Sequence, residues 1–155
     1  MAGGQELLEL LRKEEALYRE LERLGEAKGS LLLSGAAGEL EGLLADEWSL
    51  LSRLEEAERE RQAAVRRLAS ELGLEGEPPL RDLIRHLPPE EGRALWEARG
   101  SLLDAMDRVH RINRAHGDLL AELQAMAGFL WELWKRGARG TTFYDAEGRL
   151  AGGTA

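Results

Sequence analysis

The sequence predicts an all-α protein: a long antiparallel helical hairpin of coiled-coil type, a long C-terminal helix after it, and a flexible C-terminal tail. Three observations carry this. Leucines recur at three- and four-residue spacing along most of the chain. Charged residues make up 32% and aromatics 5% of the composition, which suits long helices packed side by side. The β-branched aliphatics are only Val65, Val109, Ile84 and Ile112, too few to build a sheet.

The first helix is expected over about 5–33, where Leu7, Leu10, Leu17, Leu21, Leu24 and Leu31 form a narrow apolar seam. Glu14 and Lys28 occupy seam positions where leucine is expected. This predicts imperfect packing along one solvent-exposed edge, and a two-helix contact rather than a deep core. Ser34-Gly35-Ala36-Ala37-Gly38 supplies a stop and a turn. A second helix over about 36–73 follows, with Leu40, Leu44, Leu51, Leu54, Val65, Leu68 and Leu72 in one heptad frame. Glu47, Glu58 and Arg61 interrupt that frame.

The glycines and prolines of 73–79 end this helix, because proline lacks an amide hydrogen and restricts the residue before it. A short helix is expected over about 80–87 around Leu80, Leu83, Ile84 and Leu87. Pro88-Pro89-Glu90-Glu91 then reads as a helix start, with acidic residues at the positive end of the dipole. The last helix is expected over about 89–135, with Leu95, Leu102, Met106, Val109, Leu120, Leu123, Leu130 and Trp134 in one frame. Ile112, Leu119, Met126 and Leu133 add a second stripe. Residues 1–136 are thus expected to form one helical domain and 137–155, rich in Gly and Thr, a flexible tail.

Several function classes are disfavoured. A net charge of −8 repels phosphate backbones, so no nucleic-acid partner is expected. There is no cysteine, which removes disulfides, thiolate metal sites and thiol nucleophiles, and fits a reducing cytoplasm. His86, His110 and His116 lack the spacing of a metal site, the carboxylates lie in ordinary helix-face runs, and no phosphate-binding loop is present. No enzyme, cofactor or metal is expected. The N-terminus lacks a signal-peptide pattern and no apolar run approaches the ~20 residues of a membrane span, so no stable membrane insertion is expected. Asn113 and His116 fall in the frame of the last helix as register-setting or exposed polar groups. Gly117 beside them would let another helix approach closely.

The aromatics are unevenly placed. Of eight, five (Phe129, Trp131, Trp134, Phe143 and Tyr144) lie between 129 and 144. From Met126 to Trp134 only Gly128 and Glu132 are not apolar, and a helix apolar all round must be covered. The cover could be a partner, the tail folded back, or a membrane interface, with Lys135, Arg136 and Arg139 following the tryptophans.

The LLELLRKEEALYREL opening, the LLLSGAAGELEGLLADEWSLLSRLEEAERER segment, the PLRDLIRHLPPEEG connector, INRAHGDLL and the terminal TTFYDAEG occur in an order that resembles the FlgN family of flagellar export chaperones over almost the whole chain. The resemblance implies a cytoplasmic chaperone. It would hold the C-terminal helical segments of hook-associated proteins, prevent their premature assembly and deliver them to the flagellar type III export gate. It further implies client contact through the last helix and gate docking through the tail tyrosine, here Tyr144. Leu119, Leu123, Met126 and Leu130 have the spacing of helix-in-groove anchors, and Phe129, Leu133 and Trp134 complete the expected client face. The alternative expectation is a self-associating coiled-coil structural or adaptor protein, in which the aromatic end closes a homo-oligomer; weak self-association is compatible with either reading.

Overall fold

The computed structural model of the chain describes residues 2–137. Four helices follow in order, α1 (Ala2–Ser34), α2 (Ala37–Glu71), α3 (Leu80–Ile84) and α4 (Pro89–Gly137), with no strand among the described residues. The fold is all-α, as the leucine periodicity requires. Helix α3 stops three residues earlier than the pattern suggested, although Leu87 beyond it is buried. The expected flexible tail, with Tyr144, lies outside the described residues.

The chain divides into two compact units, Met1–Arg114 and Ala115–Ala155. In the first unit, α1 and α2 are antiparallel: Glu6 pairs with Arg67, Glu14 with Arg61 and Lys28 with Glu47, the partner number falling as the first rises. The turn between them is short, Gly35 and Ala36 alone, as the expected bounds imply. Gly35 takes φ +72° and returns its N–H to the Leu31 carbonyl at 3.0 Å, and α2 resumes at Ala37. At its far end α2 closes in a Schellman motif: Leu74 N–H reaches the Ala69 carbonyl at 2.8 Å and Gly73 N–H the Ser70 carbonyl at 3.1 Å, with Gly73 at φ +76°.

The first part of α4 runs parallel to α1. Glu91 lies beside Gly4, Arg108 pairs with Glu22, and a Cβ on Gly25 would stand 2.9 Å from Ile112 Cγ2. This unit is therefore a three-helix bundle and not an isolated hairpin, with α1 packed closely on α2 and more loosely on α4. One cluster joins Leu7, Leu8, Leu11, Leu68, Leu83 and Leu95; a second joins Leu17, Leu21, Leu50, Leu54, Ala57 and Val109.

The seam of α2 keeps Leu54 and Leu68 of the expected frame and departs from it elsewhere. Leu50, Leu54, Ala57, Ala64 and Leu68 face the core, whereas Leu44 and Leu51 are exposed. Small Ala57 and Ala64 let α2 approach α1 closely, and the larger residues one position along turn to the flank. The same exchange occurs in α4, where Ala105 is buried and Met106 exposed. Nor do the seam interruptions open an edge. Glu14 is 4% exposed, the most enclosed charged residue described.

Candidate functional site

In the second unit α4 carries its apolar residues outward. Leu123, Met126, Phe129, Leu130, Leu133 and Trp134 are exposed, Phe129 to 64%, and Leu119 is half-buried. At 100° per residue, Leu119, Leu123, Met126, Leu130, Leu133 and Trp134 share an arc of about 100°, with Phe129 on one border and Leu120 on the other. The helix thus gathers every expected client-face residue into one connected strip. Tyr144 lies outside the described residues. Trp131 and Trp134 stack with ring centroids 5.8 Å apart, and Lys135 Nζ sits 5.8 Å from the Trp131 ring while pairing with Glu132 at 3.0 Å. Stacking fixes two large flat surfaces in advance, which lowers the ordering cost of using them as anchors. Gly117 has no heavy atom within 4 Å of an added Cβ among the described residues, so none of them makes the close approach expected there.

The first unit holds a feature the sequence reading missed. Two adjoining hollows of about 390 and 590 Å³ share Tyr18, Glu58 and Met106 and together form a groove between α2 and α4, floored by α1. Each helix contributes a row at heptad spacing. From α1 come Leu7, Leu11, Glu14, Tyr18 and Leu21; from α2, Leu51, Glu55, Glu58, Gln62 and Val65; from α4, Arg99, Leu103, Met106, His110 and Asn113. The α2 row consists of the residues turned out when Ala57 and Ala64 took the seam. That alanine frame, adjacent to a second frame of large residues, was the available signal.

Electrostatics at the groove floor are dominated by Glu14. Burial pushes its carboxyl above the ordinary value of 4.5, opposed by the charge and hydrogen bond of Arg61 and reinforced by Glu58. Burial beside the same carboxylates also raises the Tyr18 hydroxyl above 10.0. At one end, Glu47 accepts from Lys28 Nζ at 3.0 Å through Oε1, while its Oε2 is buried without a hydrogen-bond partner among the described residues. Among those residues no group of three His, Asp or Glu side chains is placed to hold a metal ion, and no helix is long and apolar enough to cross a membrane.

The described residues thus form long helices whose enclosed charges are paired, with an exposed apolar strip on the last helix and no arrangement of side chains for a metal, the architecture of a helical protein. The family model described as FlgN protein matches residues 1–152, and the chain belongs to the FlgN family, a family of flagellar export chaperones. No curated protein and no solved structure matches the chain.

Proposed function

We propose that this chain is a cytoplasmic flagellar export chaperone that binds the C-terminal helical segments of hook-associated proteins and delivers them to the export gate. The observation that supports the proposal is the apolar strip Leu119, Leu123, Met126, Leu130, Leu133 and Trp134, with Phe129 at its border, exposed over most of its length. An assembly-prone helix with an apolar face needs a complementary apolar surface. Anchors one helical turn apart on α4 supply it, and covering them keeps the client from assembling early. No catalysis, cofactor or nucleic acid takes part, and the chain does not insert stably into a membrane. Tyr144 provides a separate contact, docking the loaded chaperone on the gate.

The test mixes purified chain with hook-associated proteins carrying or lacking their C-terminal helices. Binding should be lost with those helices and with Leu130→Glu; binding indifferent to both sinks the proposal. Tyr144→Ala should spare client binding and reduce secretion in cells, and normal secretion would remove the docking role. The same strip could instead close a homodimer, as the coiled-coil alternative has it. Light scattering showing a dimer at low concentration that Leu130→Glu dissociates would favour that reading.

A further inference from the structure

We infer that the surface where α3 packs on the first turns of α4, centred on Trp96 and carrying Arg81, Arg85, Arg93 and Arg99, is a docking site for a short acidic peptide segment of a partner protein. The inference goes beyond the client strip, since these residues lie in the first unit and select a charged ligand. Local packing brings them together. Ile84 of α3 stands so close to Gly92 that an added Cβ would meet its Cγ2 at 2.8 Å, and Leu80, at the other end of α3, lines one hollow with Arg99 and Leu103. Helix α3 therefore runs beside this stretch of α4 in the opposite direction, and Trp96, one turn after Gly92, stands between the two contacts. Leu83 is turned into the core, which puts Arg81 and Arg85, one turn apart, on the outer face of α3. On α4, Arg93 and Arg99 lie about 60° to either side of Trp96 at 100° per residue.

Unused positive charge then selects the occupant. In a chain with 29 acidic against 21 basic residues, carboxylates are in surplus, yet Arg81, Arg93 and Arg99 have none within 4.0 Å among the described residues, and Arg85 reaches Asp82 only at 4.0 Å. Other unpaired cations, such as Arg53 of α2 and Arg114 further along α4, stand apart from this surface. The Arg99 guanidinium lies 4.7 Å from the centroid of the Trp96 ring, and that tryptophan is 48% exposed, so a flat apolar surface and a cation are held side by side. Gly100, one turn beyond Trp96, has open space around an added Cβ among the described residues, which leaves that flank of the indole clear. Guanidiniums take carboxylates in bidentate pairs, and an apolar side chain next to those carboxylates would cover the indole. The surroundings limit the ligand's extent. Glu90, Glu97 and Asp104 lie beyond Arg93 around α4, on the side away from Arg99. An anionic membrane surface or a nucleic acid would be pressed against those carboxylates, whereas a few carboxylates confined to the patch, about 9 Å from Arg93 to Arg99 at 1.5 Å per residue, meet only the guanidiniums.

The probe is a fluorescein-labelled peptide of about six residues with glutamates on both sides of one phenylalanine, set against the same peptide with glutamines, in fluorescence anisotropy with the full chain. The glutamate peptide should bind at least about 10-fold more tightly than the glutamine peptide, and Arg81→Glu with Arg99→Glu should weaken it by at least about 10-fold. Arg53→Glu with Arg114→Glu changes the net charge equally and should weaken it by less than about 2-fold, while Trp96→Ala should weaken it by at least about 3-fold. Arg81 is exposed and Arg99 half-buried, so the fold should persist; if circular dichroism shows that it does not, Arg81→Gln with Arg85→Gln replaces the pair. No saturable binding of the glutamate peptide, equal binding of the two peptides, or equal weakening by both arginine pairs overturns the inference. So does tighter binding of phosphatidylserine vesicles or single-stranded RNA that the Arg81 and Arg99 substitutions abolish, which would give the surface to a membrane or a nucleic acid. A dimer that those substitutions dissolve would make the occupant a second copy, and affinity that rises when residues 138–155 are removed would make it the chain's own tail; either result also overturns it. Leu130→Glu should leave peptide binding unchanged, so failure here and failure of the proposed function are read separately.

Discussion

Arg61 Nε donates to Glu14 Oε1 at 2.6 Å across the α1–α2 seam, joining two residues that each interrupt a leucine pattern. Further along, Lys28 and Glu47 repeat the arrangement at 3.0 Å. Each helix alone carries a fault in its apolar seam; antiparallel pairing in this register brings the faults together. A slip by one turn would bury Glu14 against Ala57 or Ala64 rather than a guanidinium, so the ion pairs oppose the competing registers.

Removing one member should therefore cost more than removing both. Arg61→Met leaves a buried carboxylate unpaired and should destabilise by about 2–3 kcal/mol, below the ~3–5 of fully buried pairs because Arg61 retains some water. Glu14→Leu combined with Arg61→Met should return stability to the wild-type level or above. Urea denaturation of the three proteins decides this, and a double variant no more stable than Arg61→Met would refute it.

The pH dependence has an unusual sign for a carboxylate in an ion pair. Because burial outweighs Arg61, Glu14 is more readily protonated folded than at its ordinary 4.5, so the native state binds the proton more tightly between 4.5 and the raised value. Its contribution to stability is fully present below 4.5 and is lost as pH rises through the folded pKa. The stability of Glu14→Gln relative to wild type should accordingly increase from pH 4.5 towards neutrality. The opposite slope would mean that Arg61 dominates and the carboxyl is depressed.

Much of the fold was legible because leucine spacing and the Gly/Pro breaks are local signals: the order of elements, the Gly35 turn and the start of α4 at Pro89 all follow from them. The seam of α2 was not, because reading by side-chain size favours Leu51 and Val65, whereas close packing selects Ala57 and Ala64. That displacement also hid the groove, which exists only once three helices are assembled. The apolar strip of α4 was visible because its residues lie on one helix within a few turns. Fates of the polar interruptions depend on which helix lies opposite, and no single-helix pattern contains that.

Glycine substitutions should separate close packing from helix propensity. In α2, Gly42 has open space around an added Cβ, so Gly42→Ala should stabilise by about 1 kcal/mol. Gly25 has the same propensity to gain, but its Cβ would stand 2.9 Å from Ile112 Cγ2, on a β-branched side chain with little freedom to turn. Gly25→Ala should bring no gain or a net loss. Thermal melts that rise equally for both variants would show that α1 and α4 can yield at this point.

The final contrast sets core against strip. Leu68 is fully enclosed where α1 and α2 meet, and Leu68→Ala should cost about 2–5 kcal/mol through lost burial and the cavity left behind. Leu130 is 55% exposed, so Leu130→Glu should change the free energy of unfolding by no more than about 0.5 kcal/mol. The consequences for holding a client helix should run the other way: Leu130→Glu removes an anchor and introduces a charge into an apolar contact, whereas Leu68→Ala leaves the strip chemically unchanged. Denaturation curves and client binding, measured on both variants well below their unfolding midpoints, give the comparison. If Leu130→Glu destabilises the chain as strongly as Leu68→Ala, the strip is part of the protein's own packing and is not available to a partner.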